Sequence, residues 1–193
     1  MVPIAVGALL LTACGSDSST SSATAADSTS GDFNDADVTF AQGMIPHHEQ
    51  AVEMAALALA PTAGASPEIQ ALATAIQGAQ APEIALMTTW LQTWGRPLDM
   101  PGMEGMDDMA GMDGMDGMDG MMSTEDMASL ATLTGTEFDT AWAQMMIEHH
   151  QGAIAQAETL KAAGSNADVL LLADQIITAQ QAEIDQMQAL LDG

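Results

Sequence analysis

The stretch FAQGMIPHHEQAV, residues 40–52, returns later in the chain as WAQMMIEHHQGAI, residues 142–154. Each copy is followed by a second shared pattern, AQxxEIxxM, which begins at Ala79 and again at Ala179. In all four segments apolar residues recur every three or four positions, the spacing of an amphipathic helix. The sequence therefore predicts a repeated unit made of two helices.

Capping residues give the expected ends of these helices. Asn34 with Asp37, and Thr136 with Asp139, have the pattern of an N-cap residue and an acid three positions later. Gly95 is typical of the residue that follows a helix. These signals predict helices at 35–60, 67–94, 137–163 and 167–192.

Long helices joined by short loops fold back as antiparallel hairpins, and two hairpins that bury their apolar faces together make a four-helix bundle. We therefore predict an all-α bundle domain over residues 34–193. Its hairpins are expected at 34–95 and 136–193, with a long, flexible linker rich in Met, Asp and Gly at 96–135.

The charge of the chain excludes one class of partner. Its 193 residues include 27 Asp and Glu but only 2 Lys and Arg, for a net charge of −25. Because affinity for nucleic acid comes from clustered basic side chains, we exclude nucleic acid as a partner. The hydrophobic content of 48% still predicts a real core.

The amino terminus resembles a bacterial lipoprotein signal. An apolar run at 2–11 is too short to span a bilayer and is followed by Cys14, the only cysteine. We expect residues 1–13 to be a signal peptide, a lipid on Cys14 to tether the protein to the membrane outside the cytoplasm, and residues 14–33 to form a disordered tether. The alternative is a buried amino-terminal strand with an ordinary cysteine.

A methionine recurs at every third position of the linker, a period that matches neither a helix nor a strand. Neighbouring Gly and Asp residues are expected to keep this segment flexible and its thioethers exposed. An acidic spacer accounts for the Gly and Asp but not for the Met period, so we expect secondary metal capture by Met103, Met106, Met109, Met112, Met115, Met118 and Met121.

The four histidines of the chain all lie in the repeated motif, and the first of each pair, His47 or His149, falls in the apolar stripe of its helix. A Gln and a Glu interrupt the apolar stripe of each second helix. Antiparallel packing should bring these polar groups to one level of the bundle. Since buried polar groups are costly unless they pair or bind a cation, we predict a metal site there, whereas the alternative is an ordinary hydrogen-bonded core.

Imidazole and thioether donors together suit copper, with Cu(I) preferred and Cu(II) also accepted by imidazole. The predicted ligands combine the histidines with the methionines and glutamates that share their level of the bundle. They are His47, His48, His149, His150, Met44, Met146, Glu83, Glu183, Met87 and Met187.

The motif Met-Ile-x-His-His in both halves, followed by Glu-Ile-x-x-Met, resembles the bacterial family named domain of unknown function 305, over residues 34–192. The resemblance implies a ferritin-like four-helix bundle, export from the cytoplasm, and similarity to periplasmic copper-binding proteins that support copper resistance. The motif residues that it carries over are Met44, His47, His48, Met146, His149 and His150.

We therefore expect a lipid-anchored, extracytoplasmic copper-binding protein for copper sequestration, tolerance or delivery, without catalytic residues. Its expected partners are the metal ion and a copper exporter or acceptor protein, and self-association into a homo-oligomer is consistent with the composition. One alternative is a ferritin-like di-iron oxidase, although no Glu has a His three residues later as such sites require. Another is a helical surface interaction module without metal.

Overall fold

A computed structural model of the protein describes residues 32–99 and 120–193. These two ranges form helices and contain no strand. The helices are α1 (Asp35–Leu59), α2 (Pro67–Thr93), α3 (Thr124–Leu130), α4 (Gly135–Ala163) and α5 (Ala167–Asp192). The predicted all-α fold is confirmed, and the four long helices lie where the sequence predicts them, to within two residues at each end. No described helix combines the length and apolarity that a membrane crossing requires.

The two hairpins, α1–α2 and α4–α5, meet mainly through α1 and α4. These two helices are antiparallel, because the beginning of α1 lies beside the end of α4. At that end Asn34 Nδ2 donates to the carbonyl oxygen of Ala163 at 2.8 Å. At the opposite end the N–H of Gly135 donates to the carbonyl oxygen of Ala63 at 2.8 Å. The hairpins are thus related by an approximate twofold axis that crosses the bundle at its middle.

Local sequence signals account for the ends of the first hairpin. Asn34 accepts hydrogen bonds from the N–H groups of residues 36 and 37, and Asp37 accepts from the N–H of Asn34, which completes the predicted capping box. α2 ends in a Schellman motif in which Gly95 has a φ of 65° and the N–H of Arg96 donates to Leu91. Both boundaries therefore follow from the residues predicted to set them.

The predicted cap of the third long helix is wrong. α4 begins at Gly135, two residues before the expected start, and its N-cap is Thr134, whose side chain makes no capping hydrogen bond. The carboxylate of Asp139 instead accepts from the N–H of Ser66 at 3.1 Å, at the start of the other hairpin's second helix. This acid joins the two hairpins rather than closing its own helix, which spacing along one helix cannot reveal.

A short helix that the sequence analysis did not predict, α3, lies inside the range assigned to the linker. It begins with a capping box formed by Ser123 and Asp126 and buries Met127 and Leu130. At 7 residues it is too short to show a helical period. The signal peptide, Cys14 and the linker methionines from Met103 to Met118 lie outside the described residues.

The core is divided into two apolar parts by a layer of polar side chains. One part, the Trp142 half-core, contains Ala51, Met54, Ile76, Trp142, Met146, Ile184 and Met187 with Met122, Met127 and Leu130. The other, the Phe40 half-core, contains Phe40, Met44, Met87, Leu91, Ala153, Leu160 and Ile176. Each half-core draws on both hairpins. The layer between them holds the histidines.

Candidate metal centre

All four histidines are fully buried at one level of the bundle. His47 of α1 and His149 of α4 face each other near the twofold axis, with ring centroids 3.8 Å apart and an angle of 45° between the ring planes. His150 lies beside His149, with a centroid separation of 6.3 Å. The structure therefore brings together the two motifs at the level that antiparallel packing predicts.

The second histidine of each motif is bonded to the glutamate of its own hairpin. Nε2 of His48 lies 2.8 Å from Oε2 of Glu83, and Nε2 of His150 lies 2.8 Å from Oε2 of Glu183. Since a carboxylate only accepts, each Nε2 carries the proton and donates it. The Nδ1 atoms of both rings are buried and have no hydrogen-bond partner among the described residues. In the neutral imidazole, Nδ1 is then a free lone pair that faces the interior.

Two glutamines complete the polar layer. Gln80 of α2 and Gln180 of α5 are each only 3% exposed. Within the described ranges, neither polar atom of the Gln80 amide has a hydrogen-bond partner, and Oε1 of Gln180 also has none. A buried polar atom without a partner costs about 1–3 kcal/mol. Because such unpaired atoms occur in both hairpins, they indicate that the layer can bind a ligand that is not part of the protein.

The charge around the layer favours a cation. Glu83 and Glu183 have side chains that are 21% and 15% exposed, so their carboxylates lie at the edge of the bundle. The two basic side chains of the protein are engaged elsewhere on the surface: Arg96 pairs with Asp35, and Lys161 pairs with Asp174. Imidazole is therefore the only basic group beside these acids. Because no Lys or Arg side chain neutralises the two carboxylates, a bound cation would be favoured there.

The surroundings of His149 favour the neutral form of its imidazole. Burial lowers the pKa of His149 well below its ordinary value of 6.5, and the neighbouring imidazoles of His47, His150 and His48 lower it further by repulsion. A backbone hydrogen bond involving His47 acts in the opposite direction. Because a metal competes with protons for imidazole nitrogen, a depressed pKa keeps this side chain available for a metal at neutral pH.

Methionine sulfurs lie on both sides of the layer. Met44 and Met146 are three residues before His47 and His149, so each lies one helical turn from its histidine. Met44 and Met87 both lie in the Phe40 half-core, and Met146 and Met187 both lie in the Trp142 half-core. All four are fully buried. Their burial in matched pairs provides soft donors, and it also serves ordinary packing.

No three His, Cys, Asp or Glu side chains of residues 32–99 and 120–193 come together as a group that could hold a metal ion. A site at this layer would therefore need thioether sulfur beside the imidazoles, or a change in side-chain conformation. Glu83 and Glu183, also predicted as ligands, each have one carboxylate oxygen bonded to imidazole Nε2.

Sequence reasoning missed one element of this region, the attachment of the chain segment before α3. Gln50, fully buried on α1, donates through Nε2 to the carbonyl oxygen of Met122 at 2.8 Å and accepts from the N–H of Met122 at 2.7 Å. Met121 is half-buried and Met122 is buried, whereas linker methionines were expected to be exposed. The adjacent pair Met121 and Met122 interrupts the period of three, and this is the sequence feature that could have indicated the attachment.

Comparison with known proteins identifies relatives of the same architecture. The family model described as domain of unknown function 305 matches residues 37–191. A protein of this family from Streptomyces coelicolor, described as secreted, has a TM-score of 0.70 and 31% identity over 81% of this chain and 92% of its own. A fragment of a family member from Deinococcus radiodurans has a TM-score of 0.70 and 30% identity over 84% of this chain and 99% of its own.

CopM in its Cu(II)-bound form also matches, with a TM-score of 0.64 and 36% identity over 81% of this chain and 95% of its own. Structures of CopM in Cu(I)-bound, silver-bound and apo forms match as well. No curated protein matches the chain. The structural neighbours thus include a protein that binds the two oxidation states of copper.

Proposed function

This chain belongs to the family of domain of unknown function 305, and from that membership and the chemistry of the histidine layer we propose that it is an extracytoplasmic protein that binds copper for sequestration, tolerance or delivery. One observation supports the proposal above the others. Four buried imidazoles lie at one level, two of them with a free Nδ1, between two pairs of buried methionines.

The donor set selects the metal. Mg²⁺ and Ca²⁺ prefer oxygen ligands, and the carboxylates at this layer are engaged with imidazole. Imidazole with thioether suits Cu(I), and imidazole alone also accepts Cu(II). The copper-bound and silver-bound forms of CopM are consistent with this choice, because silver is likewise a soft ion. We therefore favour Cu(I), with Cu(II) as a second species.

We assign different roles to the predicted site residues. His47, His48, His149 and His150 would supply nitrogen, and Met44, Met146, Met87 and Met187 would supply sulfur from above and below the layer. Glu83 and Glu183 would orient His48 and His150 through Nε2 so that Nδ1 points to the ion, as carboxylates behind metal-bound histidines commonly do. The function needs no catalytic residue.

The remaining parts of the proposal rest on sequence. A lipid on Cys14 would tether the protein outside the cytoplasm, and the methionines from Met103 to Met121 would capture copper at lower affinity before it reaches the bundle. A copper exporter or an acceptor protein would be the exchange partner, and self-association into a homo-oligomer remains part of the proposal. A family member described as secreted is consistent with this location.

The test is metal analysis of the untagged full chain, followed by competition for Cu(I) with the chelator bathocuproine disulfonate. We expect copper to be the metal retained and a tight site that survives deletion of residues 100–119, while the total number of ions bound falls. The matched control carries all four His to Asn and keeps the linker. Absence of a tight copper site in the full chain would refute the proposal, and an unchanged ion count after the deletion would remove the linker from it. Oxygen consumption with Fe(II) tests the di-iron alternative.

A further inference from the structure

Residues 120–122, which we name the strap, join the two hairpins at the level of the histidines. On one side, the side chain of Gln50 on α1 holds both main-chain polar groups of Met122. On the other, Gly120 lies against α4, where an added Cβ would come within 2.8 Å of the Glu148 carbonyl oxygen and 2.8 Å of the Gly152 Cα. The strap therefore bridges the groove between α1 and α4.

The two contact points of the strap are equivalent positions of the repeat. Gln50 lies three residues after His47, and Gly152 lies three residues after His149. Helical side chains lean toward the amino-terminal end of their helix, so a residue covers the turn before it. Gln50 therefore covers the turn of His47. Gly152 has no side chain to cover the turn of His149, and Gly120 lies there instead.

The opposite edge of the layer is closed differently. There the imidazoles of His48 and His150 are bonded to Glu83 and Glu183, and an arriving ion would meet protonated Nε2 atoms. On the groove side, the strap lies one turn from His47 and His149, and it is held by the Gln50 amide and by the buried Met122 side chain. Loss of the two hydrogen bonds from Gln50 would weaken the attachment of the strap and leave the burial of the Met122 side chain to hold it.

We propose that the strap is a removable cover over the His47–His149 pair and that Gln50 is the positioning residue that keeps it closed. The inference rests on the proposed function, since it assigns the route by which copper enters and leaves the layer. A fully buried glutamine that bonds both the N–H and the carbonyl oxygen of Met122 restrains the position of the strap, which a leucine of similar volume could not do.

The test compares Gln50→Leu with Gln42→Leu in the full chain. Gln42 is the matched control, because it is also a buried glutamine of α1 that holds linker main chain, with Nε2 bonds to Pro97 at 2.9 Å and Asp99 at 3.1 Å, but it does not touch the strap. Gly120→Ala is a second way to displace the strap, because the new Cβ meets the α4 backbone. It changes no buried side chain, so it keeps the test usable if Gln50→Leu folds poorly.

With Cu(I) and bathocuproine disulfonate as the acceptor, we expect Gln50→Leu to raise both the loading and the release rate about tenfold, the size of effect that follows from losing a buried hydrogen bond. The equilibrium affinity should change less than about threefold, since removing a cover accelerates both directions. Rates within twofold of the wild type for both Gln50→Leu and Gly120→Ala, or equal acceleration by Gln42→Leu, would overturn the inference and point to entry at the glutamate edge.

A second measurement needs no copper, so it separates this inference from the proposed function. Diethyl pyrocarbonate acylates neutral imidazole, and mass spectrometry can follow its reaction with His47 and His149. We expect the reaction to be about tenfold faster in Gln50→Leu than in Gln42→Leu, in proportion to the open population. Equal reaction rates would show that the strap covers nothing, even in a protein that binds copper tightly.

Discussion

The two hairpins are alike at the middle of the bundle and differ away from it. In the histidine layer the first hairpin has His48 bonded to Glu83, and the second has His150 bonded to Glu183, both at 2.8 Å. Away from the layer, Met54 of the first hairpin corresponds to Gln156 of the second. The two copies of the repeat thus have the same polar chemistry where they face each other, at the level of the proposed site.

The differences cluster where the strap and α3 pack. Gln50, which holds the strap, corresponds to Gly152, which gives it room. Met122 and Met127 fill the same half-core as Met54, so the Trp142 half-core contains more buried sulfur than the Phe40 half-core. A linker that packs on one side only makes the halves unequal, and the comparison can therefore be tested position by position.

The largest effect is expected at the centre of the layer. His47→Asn and His149→Asn should each weaken Cu(I) binding by more than about 100-fold. Loss of a carboxylate that is only hydrogen-bonded to a metal ligand already lowers metal affinity by about 10–100-fold, and loss of a ligand itself should cost more. The two losses should agree within about threefold if the hairpins contribute equally. Competition with bathocuproine disulfonate gives both values. A loss confined to one variant would show that only one hairpin supplies the site.

The acids that join the hairpins should behave unequally. Asp37 is fully buried and accepts from the N–H groups of Ser165 and Asn166 and from the Ser165 hydroxyl, whereas among the described residues Asp139 accepts only from the N–H of Ser66. Asp37→Asn should lower the free energy of unfolding by about 2 kcal/mol and Asp139→Asn by about 1 kcal/mol, since charged hydrogen bonds are the stronger ones. Urea denaturation of the apo-protein measures both, and equal losses would contradict the difference.

The glutamates behind the imidazoles should give smaller and matched effects. Glu83→Gln and Glu183→Gln should each weaken Cu(I) binding about tenfold, because a neutral amide orients the imidazole less well than a carboxylate. Glu148→Gln is the control: it lies next to His149 in sequence but is exposed. If Glu148→Gln has the larger effect, Glu83 and Glu183 do not have the positioning role proposed for them.

The smallest expected effect is on the pH dependence of the stability of the apo-protein. Because the pKa of His149 is lowered in the folded state, the unfolded chain binds the proton more readily below pH 6.5. The stabilisation from the neutral ring is complete above that pH and is lost as the pH falls toward the depressed folded value. We expect the free energy of unfolding to fall by about 1 kcal/mol from pH 7.5 to 5.5 through this one group. His149→Leu should remove that part of the slope in urea denaturation, and an unchanged slope would contradict it.

Most of the fold could be predicted because its signals are local and repeated. Helical periods, the Asn34 cap and Gly95 set the long helices, and the shared motifs required the two hairpins to be similar. The meeting of His47 with His149 also followed, since residues near the middle of antiparallel helices coincide at the middle of the bundle.

The rest depends on contacts between distant segments. Asp139 has the spacing of a capping acid, but its partner, Ser66, lies on the other hairpin. Gln50 looks like any polar residue at the edge of an apolar stripe, and its partner Met122 belongs to a segment with a misleading period of three. No local pattern distinguishes a ligand carboxylate from one that bonds an imidazole, as the Glu83 and Glu183 carboxylates do here.

The axis between His47 and His149 relates the inner faces of the two hairpins approximately as the two identical faces of an isologous homodimer are related. In the proposed site one hairpin would supply half of the ligands, and a second copy of the same hairpin, placed across that axis, would supply the other half. A copper ion held at the axis would be shared between two equivalent segments of one polypeptide, and in that position it would act as a crosslink that fastens them together.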